Sequence, residues 1–125
     1  MHSEKIIIQF PSFSMEAEIM PTTTGNAILC ALPLSGKAHI WGDEIYFGIP
    51  LSLAPEKEAK EEVSIGDLGY WPIGKAFCIF FGRTPVSTDN NPKAYSAVNV
   101  FGKITGDCSM LKKVRQGDII TIQKK

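Results

Sequence analysis

Polar and apolar residues alternate most strictly over Phe13-Ser14-Met15-Glu16-Ala17-Glu18-Ile19, where every odd position is apolar. A period of two predicts a half-buried antiparallel strand, with Glu16 and Glu18 facing water. Lys5 to Phe10 is rich in β-branched residues and predicts its hairpin partner across Pro11-Ser12. Ser35 to Trp41 and Glu44 to Ile49 flank Gly42-Asp43, a two-residue turn signal for a second, tight hairpin. Lys75 to Phe81 is apolar almost throughout and reads as a buried strand between turn signals. Val63 to Ile65, Ser96 to Ile104 and Ile119 to Gln123 complete the strands, with Gly102 marking a bulge or a close-packing point.

Two short stretches read as helix. Hydroxyls in Pro21-Thr22-Thr23-Thr24 can cap orphan amides ahead of Ala27-Ile28-Leu29-Cys30-Ala31-Leu32, and Pro33 stops that run. Gly106-Asp107 opens a helical turn that carries Met110, Leu111 and Val114. The dense charges of Pro55 to Glu62 read as a solvated loop or a single helical turn, and Val86 to Lys93 as a surface loop. About eight short strands with two helical plugs predict a mainly β fold. The expected architecture is a closed antiparallel barrel, capped at its ends, in one domain over residues 1–125.

Composition changes this picture little. A chain of 125 residues with 44% hydrophobic residues can bury one core without metals or disulfides. Residues 1–62 carry nine acidic and four basic side chains, and residues 63–125 carry four and nine. Interleaving of the two halves in one barrel neutralises that asymmetry, so no nucleic-acid surface is expected. Cys30, Cys78 and Cys108 have no CxxC spacing, which favours free thiols. Cys30 and Cys78 lie in apolar runs and are expected in the core, whereas Cys108 lies in a polar turn. No stretch has the length of a signal peptide or a membrane helix, and a cytoplasmic location is expected.

Candidate chemistry concentrates between Gly66 and Pro85. Glycines at 66, 69 and 74, with Pro72, make a rigid turn holding Tyr70 and Trp71. These aromatics read either as pocket walls or as corner packing. Arg83, with Thr84 beside it, can clamp a carboxylate or sit in a surface ion pair. Phe81 closes the adjacent strand and is a third apolar lining candidate. Tyr46 and Phe47 alternate, so one of them faces the pocket, and Tyr46 is the choice. His39, Asp43 and Glu44 are too scattered to indicate a metal centre, and Cys108 has no histidine in local reach to activate it. Neither a phosphate loop, a serine elbow nor a dinucleotide fingerprint is present.

Three runs in order carry a resemblance: Trp41-Gly42-Asp43-Glu44-Ile45-Tyr46-Phe47, Gly66-Asp67-Leu68-Gly69-Tyr70-Trp71-Pro72, and Phe80-Phe81-Gly82-Arg83-Thr84-Pro85. Val98-Asn99-Val100-Phe101-Gly102-Lys103-Ile104, followed by Met110 to Val114, is similar to the C-terminal strand and short helix of cyclophilins. Together they resemble a family of small prokaryotic cyclophilin-like proteins, mostly of unknown function. The resemblance implies the cyclophilin-like barrel. The Phe-His-Arg-Val, Gln-Gly-Gly-Asp and Ser-Gln-Phe-Phe runs of prolyl isomerases are not legible, and the first would fall where this chain reads Ala-His-Ile-Trp.

The expected function is therefore a binding module whose pocket takes a peptide segment or a small amide-type ligand, with Tyr46, Tyr70, Trp71, Phe81, Arg83 and Thr84 as lining residues. The alternatives are an atypical prolyl isomerase, with Arg83 aimed at the prolyl nitrogen, or a subunit of an amidolyase- or oxoprolinase-type assembly. No cofactor or metal is implied, and no nucleic-acid or membrane partner. A protein partner or a homo-oligomer is left open.

Overall fold

The computed structural model describes residues 3–125. Ten strands form in chain order: β1 (Glu4–Gln9), β2 (Ser14–Ile19), β3 (Leu34–Lys37), β4 (His39–Ile40), β5 (Glu44–Gly48), β6 (Lys60–Glu62), β7 (Asp67–Trp71), β8 (Ala76–Phe80), β9 (Lys93–Ile104) and β10 (Ile119–Lys124). One α-helix, α1 (Thr23–Ala31), and one 3-10 turn (Ser109–Lys113) complete the elements. Every strand pairing is antiparallel, and the ladder runs β3-β10-β1-β2-β9-β7-β8-β5-β4, with β6 attached to β9.

Among the described residues the ladder is not closed by hydrogen bonds, which corrects the expectation of a closed barrel. Its two end strands, β3 and β4, are instead consecutive in the chain and separated only by Ala38. The expected strand from Ser35 to Trp41 changes partner at that residue. Before it the chain pairs with β10, and after it with β5. At the change-over, the Ala38 N–H donates to the Asp118 carbonyl and the Ala38 carbonyl accepts from the Gly117 N–H, each at 2.8 Å.

The two expected helices become one. Helix α1 begins four residues before Ala27, because Thr22 accepts the Gly25 N–H at 2.9 Å and the Glu56 carboxylate accepts the Thr24 N–H at 3.0 Å. The threonine run is thus taken into the helix, and Pro33 follows its end as expected. The stretch after Gly106 forms only the 3-10 turn, which places Leu111 in the core.

Strand alternation assigns two faces. Ile6, Ile8, Ala17, Ile19, Ile45, Phe47, Leu68, Tyr70, Phe77, Ile79, Phe101, Ile120 and Ile122 point inward with Ile28 of α1 and form the main core. A second, smaller cluster lies on the opposite face, where Ala76, Cys78 and Phe80 of β8 meet Val63, Ala94 and Val98. All five residues of β8 are therefore buried, because apolar contacts cover both of its faces. Its continuous apolar run needs both cores. Cys78 is buried as expected, but Cys30 is exposed on α1, contrary to its expected core position, and Cys108 is half-buried. The short strand expected at Val63 to Ile65 falls instead at Lys60–Glu62, inside the charged run expected to be a solvated loop or a helical turn.

Candidate functional site

Two adjacent residues of β7 serve opposite faces. Tyr70 is fully buried in the main core, and its hydroxyl donates to the Leu51 carbonyl at 2.7 Å and accepts the Leu53 N–H at 3.1 Å. Trp71 points the other way, half-buried, with its indole N–H donating to Ser96 Oγ at 2.5 Å. Gly74 lies flat against the Trp71 ring, where an added Cβ would come within 2.3 Å of it.

On the Trp71 side, over the second cluster, a cavity of about 150 Å³ opens to solvent. Trp41, Glu44, Tyr46, Trp71, Ala94, Tyr95 and Val98 line it. The Gly42-Asp43 turn positions Trp41, which exchanges two backbone hydrogen bonds with Glu44 at 3.0 and 3.1 Å, and Gly42 adopts φ +60 at the first turn position. Glu44 and Tyr46 alternate on β5, so both leave the main core on the same side while Ile45 and Phe47 enter it. Tyr95 projects from β9 and is 70% exposed.

The four aromatic rings form a bent wall. Trp41 meets Tyr95 at 6.1 Å and 74°, Tyr95 meets Trp71 at 6.1 Å and 77°, and Trp71 meets Tyr46 at 6.3 Å and 81°. Rings at such angles enclose a space instead of stacking flat. Tyr46 is held from behind by the His39 ring, stacked at 5.2 Å, and His39 Nδ1 lies 3.0 Å from the Gln116 amide nitrogen.

Glu44 supplies the carboxyl of this wall. It is 6% exposed, and the two ion pairs among the described residues join other side chains. Burial pushes its carboxyl up to about 7, opposed in part by a hydrogen bond with the Cys78 thiol. The same burial, reinforced by the neighbouring Glu44 charge, holds the Cys78 thiol well above its ordinary range. An acid poised near neutrality in an aromatic recess is an arrangement found where ligands or protons are handled.

Of the residues singled out in the sequence, the structure brings together Tyr46 and Trp71 and sets the other four apart. Tyr70 and Phe81 belong to the main core. Arg83 is exposed in the turn after β8, and its carbonyl accepts the Asp43 N–H at 2.8 Å. Thr84 is buried as a loop clasp, donating its N–H to Ser87 Oγ at 2.9 Å and its hydroxyl to the Lys93 carbonyl at 2.5 Å. Trp41, Glu44 and Tyr95 complete the recess without having been singled out for it. The alternation Glu44-Ile45-Tyr46-Phe47 was the available signal for Glu44, since it shares a face with Tyr46. Tyr95 has no such signal, because its neighbour across the recess is fixed by strand order alone.

The sequence matches the cyclophilin-like family over residues 4–123, and the chain belongs to that family. It is similar to the hypothetical protein AF2241 from Archaeoglobus fulgidus, whose solution structure superposes with a TM-score of 0.82 at 38% identity over 98% of this chain and 95% of that one. McbB, solved in complex with tryptophan, shares the fold with a TM-score of 0.73 at 12% identity, over 96% of this chain and 44% of McbB. No curated protein matches the sequence. Among the described residues no helix is long and apolar enough to cross a membrane.

Proposed function

We propose that this protein is a cyclophilin-like binding module whose site is the recess between Trp41, Tyr46, Trp71 and Tyr95, on the face of the sheet opposite the main core. Its ligand is a small molecule or a single side chain of a peptide. The observation that carries this reading is the four-ring wall around a cavity of about 150 Å³. A cavity of roughly that size admits a benzene-sized group. Large aromatics held partly in water at a concave place are a recurrent mark of recognition surfaces.

Binding is favoured over prolyl isomerisation because Arg83, the donor nominated for the prolyl nitrogen, lies outside the lining. The test is a fragment screen followed by amide and indole NMR shifts, with proline amides, tryptophan and small amines among the fragments. Tryptophan is included because McbB is known with it bound. Hits should perturb the two indole N–H signals and the residues around Tyr46 and Tyr95. Hits confined to other surfaces, or no hits, would overturn the reading. A proline-peptide isomerisation assay should give no rate above background, with or without Arg83→Ala.

A further inference from the structure

The recess combines two features that a purely apolar pocket does not need. Its walls are ring faces and edges from two indoles and two phenols, which carry negative charge on their faces. Its polar end is a carboxyl buried to 6% exposure. A buried carboxylate without a cation is unfavourable, and among the described residues no lysine or arginine lines the cavity. A cation placed among the rings would be attracted to both.

We propose that the recess is a receptor for an alkylated ammonium group, with Glu44 as counter-ion and Trp41, Tyr46, Trp71 and Tyr95 as the cage. The inference rests on the binding reading above and names its ligand class. Alkylation follows from the lining. A primary ammonium has three donors to satisfy and is strongly hydrated, while the recess offers one carboxylate among aromatic and aliphatic groups such as Ala94 and Val98. A tertiary or quaternary ammonium has at most one donor, carries an apolar shell, and is held by ring faces without losing hydrogen bonds. The same group occurs on free small molecules and on methylated lysine side chains, and the recess is open enough at Tyr95 for either.

Glu44 gives the interaction a proton linkage. Among the described residues, the titratable side chains around it are the Cys78 thiol from β8 and the recess-lining Tyr46 on its own strand and Tyr95 from β9; none is a cation, and the other described lining groups do not titrate. Burial raises the pH at which Glu44 loses its proton to about 7. A permanent cation binds the ionised form, so its arrival releases the proton. Affinity should then rise roughly tenfold between pH 6 and pH 8, following the ionised fraction of the free protein.

The experiment titrates the full chain with choline and with its uncharged isostere 3,3-dimethylbutan-1-ol, at pH 6 and 8, by indole fluorescence and NMR shifts. Choline should bind at the recess, more tightly at pH 8, and the isostere at least tenfold more weakly. Glu44→Gln, which keeps the side-chain shape, should weaken choline and remove its pH dependence. Tyr95→Ala, a change at an exposed position, should weaken choline without unfolding the chain. Equal binding of the isostere would overturn the cation and leave a neutral pocket standing. Tighter binding of butylammonium than of choline would overturn the alkylated specification. Absence of any shift with all three would overturn the inference, while the fragment screen decides the binding reading separately. A trimethyllysine tripeptide run beside choline separates the two sources, since tighter binding of the peptide places the group on a protein chain and tighter binding of choline places it on a small molecule.

Discussion

Tyr70 and Asn99 lie opposite each other in register across β7 and β9, and together they fasten the irregular segment from Leu51 to Glu56. Tyr70 holds the Leu51 carbonyl and the Leu53 N–H through its hydroxyl. Asn99 accepts the Glu56 N–H at 2.8 Å and donates to the Ala54 carbonyl and to Thr24 Oγ1, each at 3.0 Å. The segment has no ladder of its own, so these side chains supply partners that strand pairing would otherwise provide.

Tyr70→Phe should therefore destabilise the protein by about 1–3 kcal/mol, the range for leaving buried polar groups unpaired. Urea denaturation would measure it. Because the phenol does not reach the aromatic recess, ligand affinity at that recess should be unchanged once the variant is folded.

Asn99→Leu should lose more, about 2–4 kcal/mol, since one backbone donor, one carbonyl and the Thr24 hydroxyl lose a partner together. Amide exchange should quicken selectively between residues 51 and 59. The double variant with Tyr70→Phe should fall short of the sum of the two, because both changes release the same segment. Strict additivity would show that the two side chains hold it independently.

Gly74→Ala should act on the recess and not on the core. Gly74 is exposed, yet a methyl there would overlap the indole of Trp71 and force it to move. Indole fluorescence and the Trp71 N–H shift should change and affinity for any recess ligand should fall several-fold. The denaturation midpoint should move little. An unaltered Trp71 signal would mean that the turn yields in place of the ring.

Glu44 should make stability fall as the pH rises. Its carboxyl keeps a proton up to about 7 in the folded protein and releases it from an ordinary value of 4.5 in the unfolded chain. Between these values the folded state binds more protons, so the contribution is complete below the lower value and lost on passing the upper one. The loss amounts to roughly 3 kcal/mol. Glu44→Gln should flatten the dependence of the denaturation midpoint between pH 5 and 8. Glu16 acts in the opposite sense: the Lys125 ammonium, bonded to it at 2.6 Å, lowers its pKa, so that contribution disappears only under acid conditions.

Elements governed by local pattern are legible in the sequence. The alternation after Phe13, the Gly42-Asp43 turn and the apolar run of β8 each encode their own structure, and the motifs around them carry the family. The open ladder was not legible, since it depends on which partner each half of the 34–40 segment takes. The same limit applied to the site. The sequence places Tyr46 on a strand and Trp71 in a rigid turn, whereas Asp67–Trp71 is strand β7, along which the neighbours Tyr70 and Trp71 diverge to opposite faces. Arg83 and Thr84 looked chemical by type and are used in turns. Glu44, weighed in the sequence with His39 and Asp43 as a metal ligand and set aside, acquires its significance from burial in the recess beside Tyr46, a depth no single strand reveals.

The change of partner at Ala38 also bears on how the molecule guards itself. One continuous peptide serves as both rims of the sheet, and an intact chain keeps those rims together like the two lips of a seam. A proteolytic nick beside Ala38, or a proline that removes the N–H accepted by the Asp118 carbonyl, would loosen both rims at once.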